Sequence, residues 1–387
     1  MEQKNNLFYR DTWVDIDLTQ IEQNIISIKN TLPKGKEIFA VVKANGYGHG
    51  AVEVAESAIR SGVGGLAVAF IDEALVLRNG GITHPILVLG ASRPQDVPLA
   101  QKNKLTLTVF RQDWLVEAEG WLDSSIPVKV HVKIDTGMAR LGVRTMEEFL
   151  AMTDWIESHK GIELDGVFTH FAKADEDDQS FMLEQRDKFV QYVEALPKKP
   201  KYIHHSNSGA TIKIPDDPTN MVRVGIAMYG LLPSEEMKNE MPAGVAESFS
   251  LHSRLIHVKK VEAGEPVSYG STYHTKEAAW IGTIPIGYAD GWLRRLQGAD
   301  VLVGGVRCEI VGRICMDQCM ILLPTEYPLG TQVTLVGKQG TEQISMGEVA
   351  AKSETIQYEI PCIISSRVPR RYFREGKDTK VINPLLK

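Results

Sequence analysis

The 387-residue sequence has no apolar run approaching the ~18–20 residues of a membrane-spanning helix, which argues against a membrane partner. Its opening stretch, MEQKNNLFYRD, lacks the apolar core of a secretory signal, so a cytoplasmic location is expected. Cysteine is scarce: Cys308, Cys315, Cys319 and Cys362 all fall in the last quarter. Cys315 and Cys319 have C-x3-C spacing with no second ligand pair nearby, so reduced thiols and no metal centre are expected. Positive charge is not in excess either. The net charge of −6 and the lack of a basic stripe argue against nucleic acid as a partner. Two local clusters, Lys198, Lys199 and Lys201 around Pro200 and Arg367, Arg370, Arg371 and Arg374 around Pro369, read as solvated loops.

What is present centres on residues 37–50, EIFAVVKANGYGHG. An apolar strand, Ile38 to Val42, ends on Lys43 and breaks into a loop holding Tyr47 and glycines 46, 48 and 50; a helix follows from Ala51. A lysine where a buried strand meets a loop is costly unless paired, and burial lowers its pKa toward the nucleophilic range. Such amines form Schiff bases with carbonyls, pyridoxal phosphate being the usual cofactor. A strand-end lysine reaching solvent is the alternative.

Asp17 precedes a helical pattern of Leu18, Ile21, Ile25, Ile28 and Leu32 that Pro33 ends. Strand candidates follow at 38–43, 65–70, 85–90, 105–110, 127–134, 165–171, 202–206 and 221–228. Helical stretches, clearest at 51–62, 71–79, 146–159 and 178–195, lie between them. Eight alternating strands predict a parallel (β/α)8 TIM-type barrel, and no G-x-G-x-x-G follows the first strand to favour a doubly wound sheet. Polar residues gather at the carboxyl ends of these strands: Lys43, Lys133, Asp135, Arg140, His170, His204 to Ser208, and Arg223. In such barrels that end carries the active site.

After about residue 245 the helical periodicity fades. Short β-rich runs at 253–259, 266–269, 279–286, 301–311, 319–323, 332–336 and 379–382 predict a C-terminal β domain. The expected division is 1–245 for the barrel and 246–387 for the β domain, in keeping with a chain longer than the roughly 250–300 residues at which single cores stop growing.

Eight motifs in order, KANGYGHG (43–50), KIDTGMARLGV (133–143), FTHFA (168–172), HHSNSGA (204–210), VRVGIAMYG (222–230), VSYGSTY (267–273), GYADG (287–291) and GRICMDQ (312–318), resemble the fold-type III pyridoxal phosphate enzymes and, within them, the alanine racemase family. The resemblance spans nearly the whole chain. Gly46 departs from it, since the family often has alanine there. The resemblance implies a barrel followed by a β domain, with the segment near 11–17 packed on the latter, and a head-to-tail homodimer whose active sites are shared. It implies interconversion of L- and D-alanine, supplying D-alanine for peptidoglycan; a serine or broad-specificity racemase is the alternative.

By that resemblance Lys43 carries pyridoxal 5'-phosphate and acts as one base, with Tyr269 of a second copy as the other. Tyrosines ordinarily titrate near ~10, so a base of this kind needs a nearby cation or donor. Arg223 faces the pyridine nitrogen, to which it donates a hydrogen bond but no proton, and His170 orients it. Tyr47, Ser208, Tyr358 and the N–H groups of Gly225 and Ile226 bind the phosphate. Arg140 faces the phenolic oxygen and the substrate carboxylate, with Met316, Asp317 and Tyr288 lining the substrate side. Lys133 is carbamylated and pairs with Arg140, or is a plain lysine paired with Asp135.

Overall fold

The computed structural model describes residues 8–386; residues 1–7 and Lys387 lie outside the described residues. The chain divides into two compact units, residues 20–246 in one and the flanking segments, up to 19 and from 247, in the other. No helix among the described residues is long and apolar enough to cross a membrane.

The first strand, β1 (Thr12–Asp17), belongs to the flanking unit, and the barrel begins after it. Its strands are β2 (Glu37–Val41), β3 (Gly65–Val68), β4 (Ile86–Val88), β5 (Leu105–Val109), β6 (Val128–Lys133), β7 (Ile162–Phe168), β8 (Tyr202–His204) and β9 (Met221–Val224). They form one eight-stranded sheet in the order β8-β7-β6-β5-β4-β3-β2-β9, every pairing parallel. Between β8 and β9, Asn220 N donates to Ile203 O at 3.2 Å and Arg223 N to Ser206 O at 3.0 Å, which nearly closes the barrel. All eight expected strands are present, as are helices at 51–60, 71–79, 146–158 and 180–195.

The sequence pattern explains the packing. Ile21, Ile25 and Ile28 lie on one face of helix Leu18–Lys29 and are buried. Inside the barrel, large rings face glycines. A Cβ on Gly65 would come within 2.6 Å of the Phe39 ring, and one on Gly166 within 2.8 Å of the His131 ring. Phe39 meets Tyr202 edge-on with centroids 5.2 Å apart.

The flanking unit holds β10 (Phe249–Arg254), β11 (His257–Val261), β12 (Pro266–Val267), β13 (Tyr273–His274), β14 (Ala279–Ile284), β15 (Asp300–Val303), β16 (Val306–Val311), β17 (Cys319–Leu323), β18 (Gln332–Gln339), β19 (Glu342–Ile344), β20 (Arg370–Arg374) and β21 (Lys377–Ile382). Its main sheet runs β11-β14-β17-β16-β15-β18-β10-β1-β20-β21, with β19 on β18. Two short helices, Met346–Lys352 and Glu359–Ile363, accompany it. Two expected runs are each a pair of strands. The stretch 301–311 is a hairpin turning at Gly304-Gly305, and 253–259 spans the break between β10 and β11. β18 continues past the expected run 332–336 to Gln339, and the turn to β19 comes at Gly340.

Candidate active site

Lys43 follows β2 and opens a turn of unusual hand. Ala44, Asn45, Gly46 and Tyr47 have φ of 52°, 54°, 61° and 50°. Left-handed residues with a Cβ cost about 1–2 kcal/mol each, so this turn persists only because its surroundings hold it. Glu73 is one clamp. Its Oε1 accepts Ala44 N at 2.7 Å, and its Oε2 accepts Ala69 N at 2.7 Å and Phe70 N at 3.4 Å. Asn45 is another, its side chain accepting Ala51 N at 3.0 Å and its carbonyl Gly50 N at 2.8 Å. Gly46, where the family pattern often has alanine, shares this left-handed backbone. It sits where glycine alone avoids the steric cost.

The turn aims Tyr47 inward. Its ring packs 4.9 Å from that of Tyr229, whose hydroxyl donates to Val41 O at 3.0 Å, and Lys43 Nζ lies 6.0 Å from its centroid. The Tyr47 hydroxyl reaches Gly225, where an added Cβ would sit 2.7 Å from it. Ser208, at the start of helix Ser208–Lys213, accepts Gly225 N at 3.0 Å and Ala227 N at 3.4 Å on its hydroxyl. Tyr47, Ser208, Gly225 and the buried Ile226 thus meet at the carboxyl ends of β8 and β9.

Phe168 is the platform for the neighbouring cations. Lys133 Nζ lies 5.4 Å and the Arg223 guanidinium 5.2 Å from its centroid. Lys133 is buried, and burial, with the charges of Arg140 and Arg223, pulls its pKa down to about 8 against the opposing effect of Asp135. Asp135 directs its Oδ1 to the N–H groups of Gly137 (3.1 Å) and Ala139 (3.0 Å), and its Oδ2 lies 3.7 Å from Arg144. His170 is held well below the usual imidazole range by burial, then by Arg223, Lys133, Arg140 and Lys43. Four cations therefore act on one neutral histidine at the barrel mouth, an arrangement that suits an anionic ligand.

Arg223 is buried and spans the barrel interior. Nη1 donates to His204 Nδ1 at 2.6 Å, and Nη2 donates to Thr169 O (2.9 Å), His170 Nδ1 (3.0 Å) and His205 O (3.0 Å). Burial lowers its pKa to about 9, which leaves it charged at neutral pH. The expected His170–Arg223 contact is present, with His170 accepting. His204 and Thr169, to which no role is given from sequence, hold the same guanidinium.

In the flanking unit, Tyr269 begins a short 3-10 turn, Tyr269–Ser271, and is 72% exposed. It lines a cleft of about 560 Å³ with Ser268, Cys315, Gln318 and Met320. Tyr288 N donates to Cys315 O at 3.0 Å and Ala289 N to Met316 O at 3.1 Å, which brings Tyr288 and Met316 together. Asp317 takes Arg367 Nη2 at 2.7 Å. Behind them the buried Asp290 receives Arg10 Nη1 at 2.7 Å and Gly287 N at 3.0 Å. Tyr358, half-buried, immediately precedes helix Glu359–Ile363. Sequence reasoning missed Glu73 and Asp290. Glu73 is one carboxylate on an ordinary helix, and only the strained turn beside it reveals its use.

Residues 16–233 match the family model for the alanine racemase N-terminal domain and residues 248–372 that for the C-terminal domain. The sequence is 54% identical to the alanine racemase of Geobacillus kaustophilus over 97% of this chain and 98% of that one. It is 48% identical to alanine racemase 1 of Bacillus subtilis over 98% of this chain and 97% of that one. The crystal structure of alanine racemase from Bacillus anthracis with bound L-Ala-P superposes with a TM-score of 0.94 at 50% identity, covering 98% of this chain and 99% of that one. A histidine racemase from Leuconostoc mesenteroides has the same fold at 30% identity, TM-score 0.89, covering 94% and 98%. Both halves of the chain, the barrel with its strand-end lysine and the β unit with its exposed tyrosine, therefore place it in the alanine racemase family.

Proposed function

We propose that this protein interconverts L- and D-alanine with pyridoxal 5'-phosphate held at the mouth of the barrel. The carrying observation is that Lys43, just past the end of a barrel strand, lies among convergent cations on the same barrel mouth where Tyr47, Ser208 and Gly225 meet. These residues fit the cofactor: a primary amine for its carbonyl, and a cradle in which a Cβ at Gly225 would meet the Tyr47 hydroxyl. When bound, pyridoxal phosphate supplies an electron-withdrawing ring that acidifies the α-proton of an attached amino acid.

The protein's own residues then divide the work. Tyr47, Ser208, Tyr358 and the N–H groups of Gly225 and Ile226 bind phosphate. Arg223, fixed by His170, donates to the ring nitrogen without giving up a proton. Racemisation removes a proton on one face of Cα and returns one on the other, so two groups are required. Lys43 serves one face and Tyr269, contributed by a second copy, the other. Arg140 takes the substrate carboxylate, with Met316, Asp317 and Tyr288 narrowing the site. Lys133, with an amine pKa of about 8, suits carbamylation and pairing with Arg140.

The exposure of Tyr269 (72%), Met316 (53%) and Tyr288 (40%) supports a homodimer in which a second copy covers them. The domain division we adopt is 1–245 and 246–387, the segment near 11–17 being counted with the β domain. A cytoplasmic enzyme supplying D-alanine to peptidoglycan follows from the family. The test is circular dichroism of L-alanine incubated with protein and pyridoxal phosphate. Decay of the signal, abolished in Lys43→Ala, is expected. Decay with L-serine or L-histidine in preference to L-alanine would keep the mechanism and change the substrate, whereas a visible cofactor band that persists in Lys43→Ala would overturn the assignment of Lys43.

A further inference from the structure

Arginine donates hydrogen bonds and accepts none, so the bond from Arg223 Nη1 to His204 Nδ1 at 2.6 Å requires a lone pair on that nitrogen. His204 is fully buried and stacks on Phe168, with centroids 4.8 Å apart and planes 8° from parallel. Burial and the Arg223 charge keep its imidazole neutral. Its proton is then on Nε2, which faces His131 Nδ1 at 2.9 Å. His131 accepts there and, being buried and neutral, carries its own proton on Nε2. That nitrogen lies 3.7 Å from Asp165 Oδ2, within reach of its charge but beyond hydrogen-bond distance, while Asp165 Oδ1 takes Lys129 Nζ at 2.9 Å. Every N–H of the row therefore points the same way, from Arg223 toward Asp165.

The strand geometry is built around this row. Along the β6–β7 pairing, Val130 lies opposite Leu164 but His131 lies opposite Gly166, so Asp165 is an extra, bulged residue. In an unbroken strand Asp165 and Gly166 would face opposite sides; a bulge re-aims one side chain. It brings the Asp165 carboxylate to the side of Lys129 and His131. Gly166 leaves the room that the His131 ring fills, since a Cβ there would lie 2.8 Å from its Cε1 and Nε2. Barrel interiors are ordinarily filled with branched apolar side chains, so a buried polar row here is costly to keep.

We propose that His131 and Asp165 are positioning residues for Arg223: acting through His204, they fix the imidazole tautomers so that a lone pair always meets the guanidinium. The use of this for catalysis rests on the reading of Arg223 as the residue facing the cofactor ring; the tautomers themselves do not.

The test is nitrogen NMR of the holoenzyme labelled with ¹⁵N-histidine, with assignment by His131→Gln and His204→Gln. Both imidazoles are expected neutral and protonated on Nε2 near neutral pH. In Asp165→Asn, the amide NH2 can donate to His131 Nε2, and the expected result is a mixture of tautomers at His131 and His204. Its kcat should fall by at least about tenfold with little change in KM, a smaller loss than the roughly 10^4 that a wrong tautomer of a reacting histidine itself causes. Asp165→Glu should restore the native tautomers, and Lys129→Met should leave them unchanged. A proton on Nδ1 of His204 in the native protein, or native tautomers and kcat in Asp165→Asn, would overturn the proposal. If Asp165→Asn does not fold, the native spectrum and Asp165→Glu decide. Absence of a visible cofactor band would instead count against the reading of the site, and the tautomer spectrum would still be readable.

Discussion

Lys36 Nζ lies 3.0 Å from Asp217 Oδ2, an ion pair whose side chains are only 4% and 1% exposed. Lys36 also donates to the carbonyls of Pro215 and Asp217, at 2.9 and 2.8 Å. Asp217 Oδ1 accepts Thr219 N at 2.8 Å and lies 3.2 Å from His205 Nε2, and the His205 carbonyl holds Arg223. A buried charge cluster therefore backs the residue expected to face the cofactor ring.

Burial alone would raise the Asp217 carboxyl, but His205 and Thr219 overcome it and hold its pKa well below the usual range. A depressed carboxyl contributes stability above its unfolded pKa of about 3.9, and that contribution is lost as pH falls through the folded value. Asp217→Ala should cost about 3–5 kcal/mol at neutral pH, because it leaves Lys36 buried without its partner. Urea unfolding at a series of pH values checks this. The gap between variant and parent should narrow below about pH 3.9.

The left-handed turn after Lys43 predicts two further effects. Gly46→Ala should lower stability by about 1–2 kcal/mol, the usual cost of a Cβ in that conformation. Glu73→Ala should release three backbone N–H groups at once and reduce activity more than Gly46→Ala does, because the clamp sits against Ala44, next to Lys43. Parallel thermal unfolding and racemisation assays distinguish the two.

Lys133 predicts a modification with a definite pH dependence. Only a neutral amine attacks carbon dioxide; the new N–C bond gives a carbamate and releases a proton. With its pKa pulled down to about 8, the neutral fraction rises steeply as pH passes that value. Carbon NMR with ¹³C-bicarbonate should show one carbamate signal that grows from pH 7 to 9 and is missing in Lys133→Gln. A spectrum without it would leave Lys133 as a plain amine.

The barrel was readable because each of its strands is a short apolar run closed by polar residues, as at Val128–Lys133 and Met221–Val224. β20 was not readable. RRYFR looks like a charged loop, and only pairing with β1 and β21 shows Tyr372 buried between arginines. Lys43, Arg223 and Ser208 stand out by their positions at strand ends. His131 and Asp165 do not, because their meeting depends on a bulge that leaves no mark in the apolar pattern. Asp290, Arg10 and Arg367 likewise meet only through tertiary folding.

Ser268 precedes Tyr269 and has φ 67° and ψ −178°, a region almost confined to glycine and costing about 1–3 kcal/mol. Its hydroxyl donates to Arg313 O at 2.6 Å, which ties the loop to the Gly312–Cys315 segment. A Cβ at Gly312 would come 2.6 Å from Val267 O, so the two segments are already in close contact. Strain and tether act in opposite directions, and two substitutions separate them. Ser268→Ala keeps the strain and loses the tether; Ser268→Gly loses both. Ser268→Gly should therefore be the more stable of the two by about 1 kcal/mol or more. If the tether is what holds Tyr269 in place, both variants should lose kcat to a similar degree despite that difference. Equal stability in thermal unfolding would show that the loop relaxes around Ser268. Full activity in both would show that Tyr269 is held by something other than the Arg313 carbonyl.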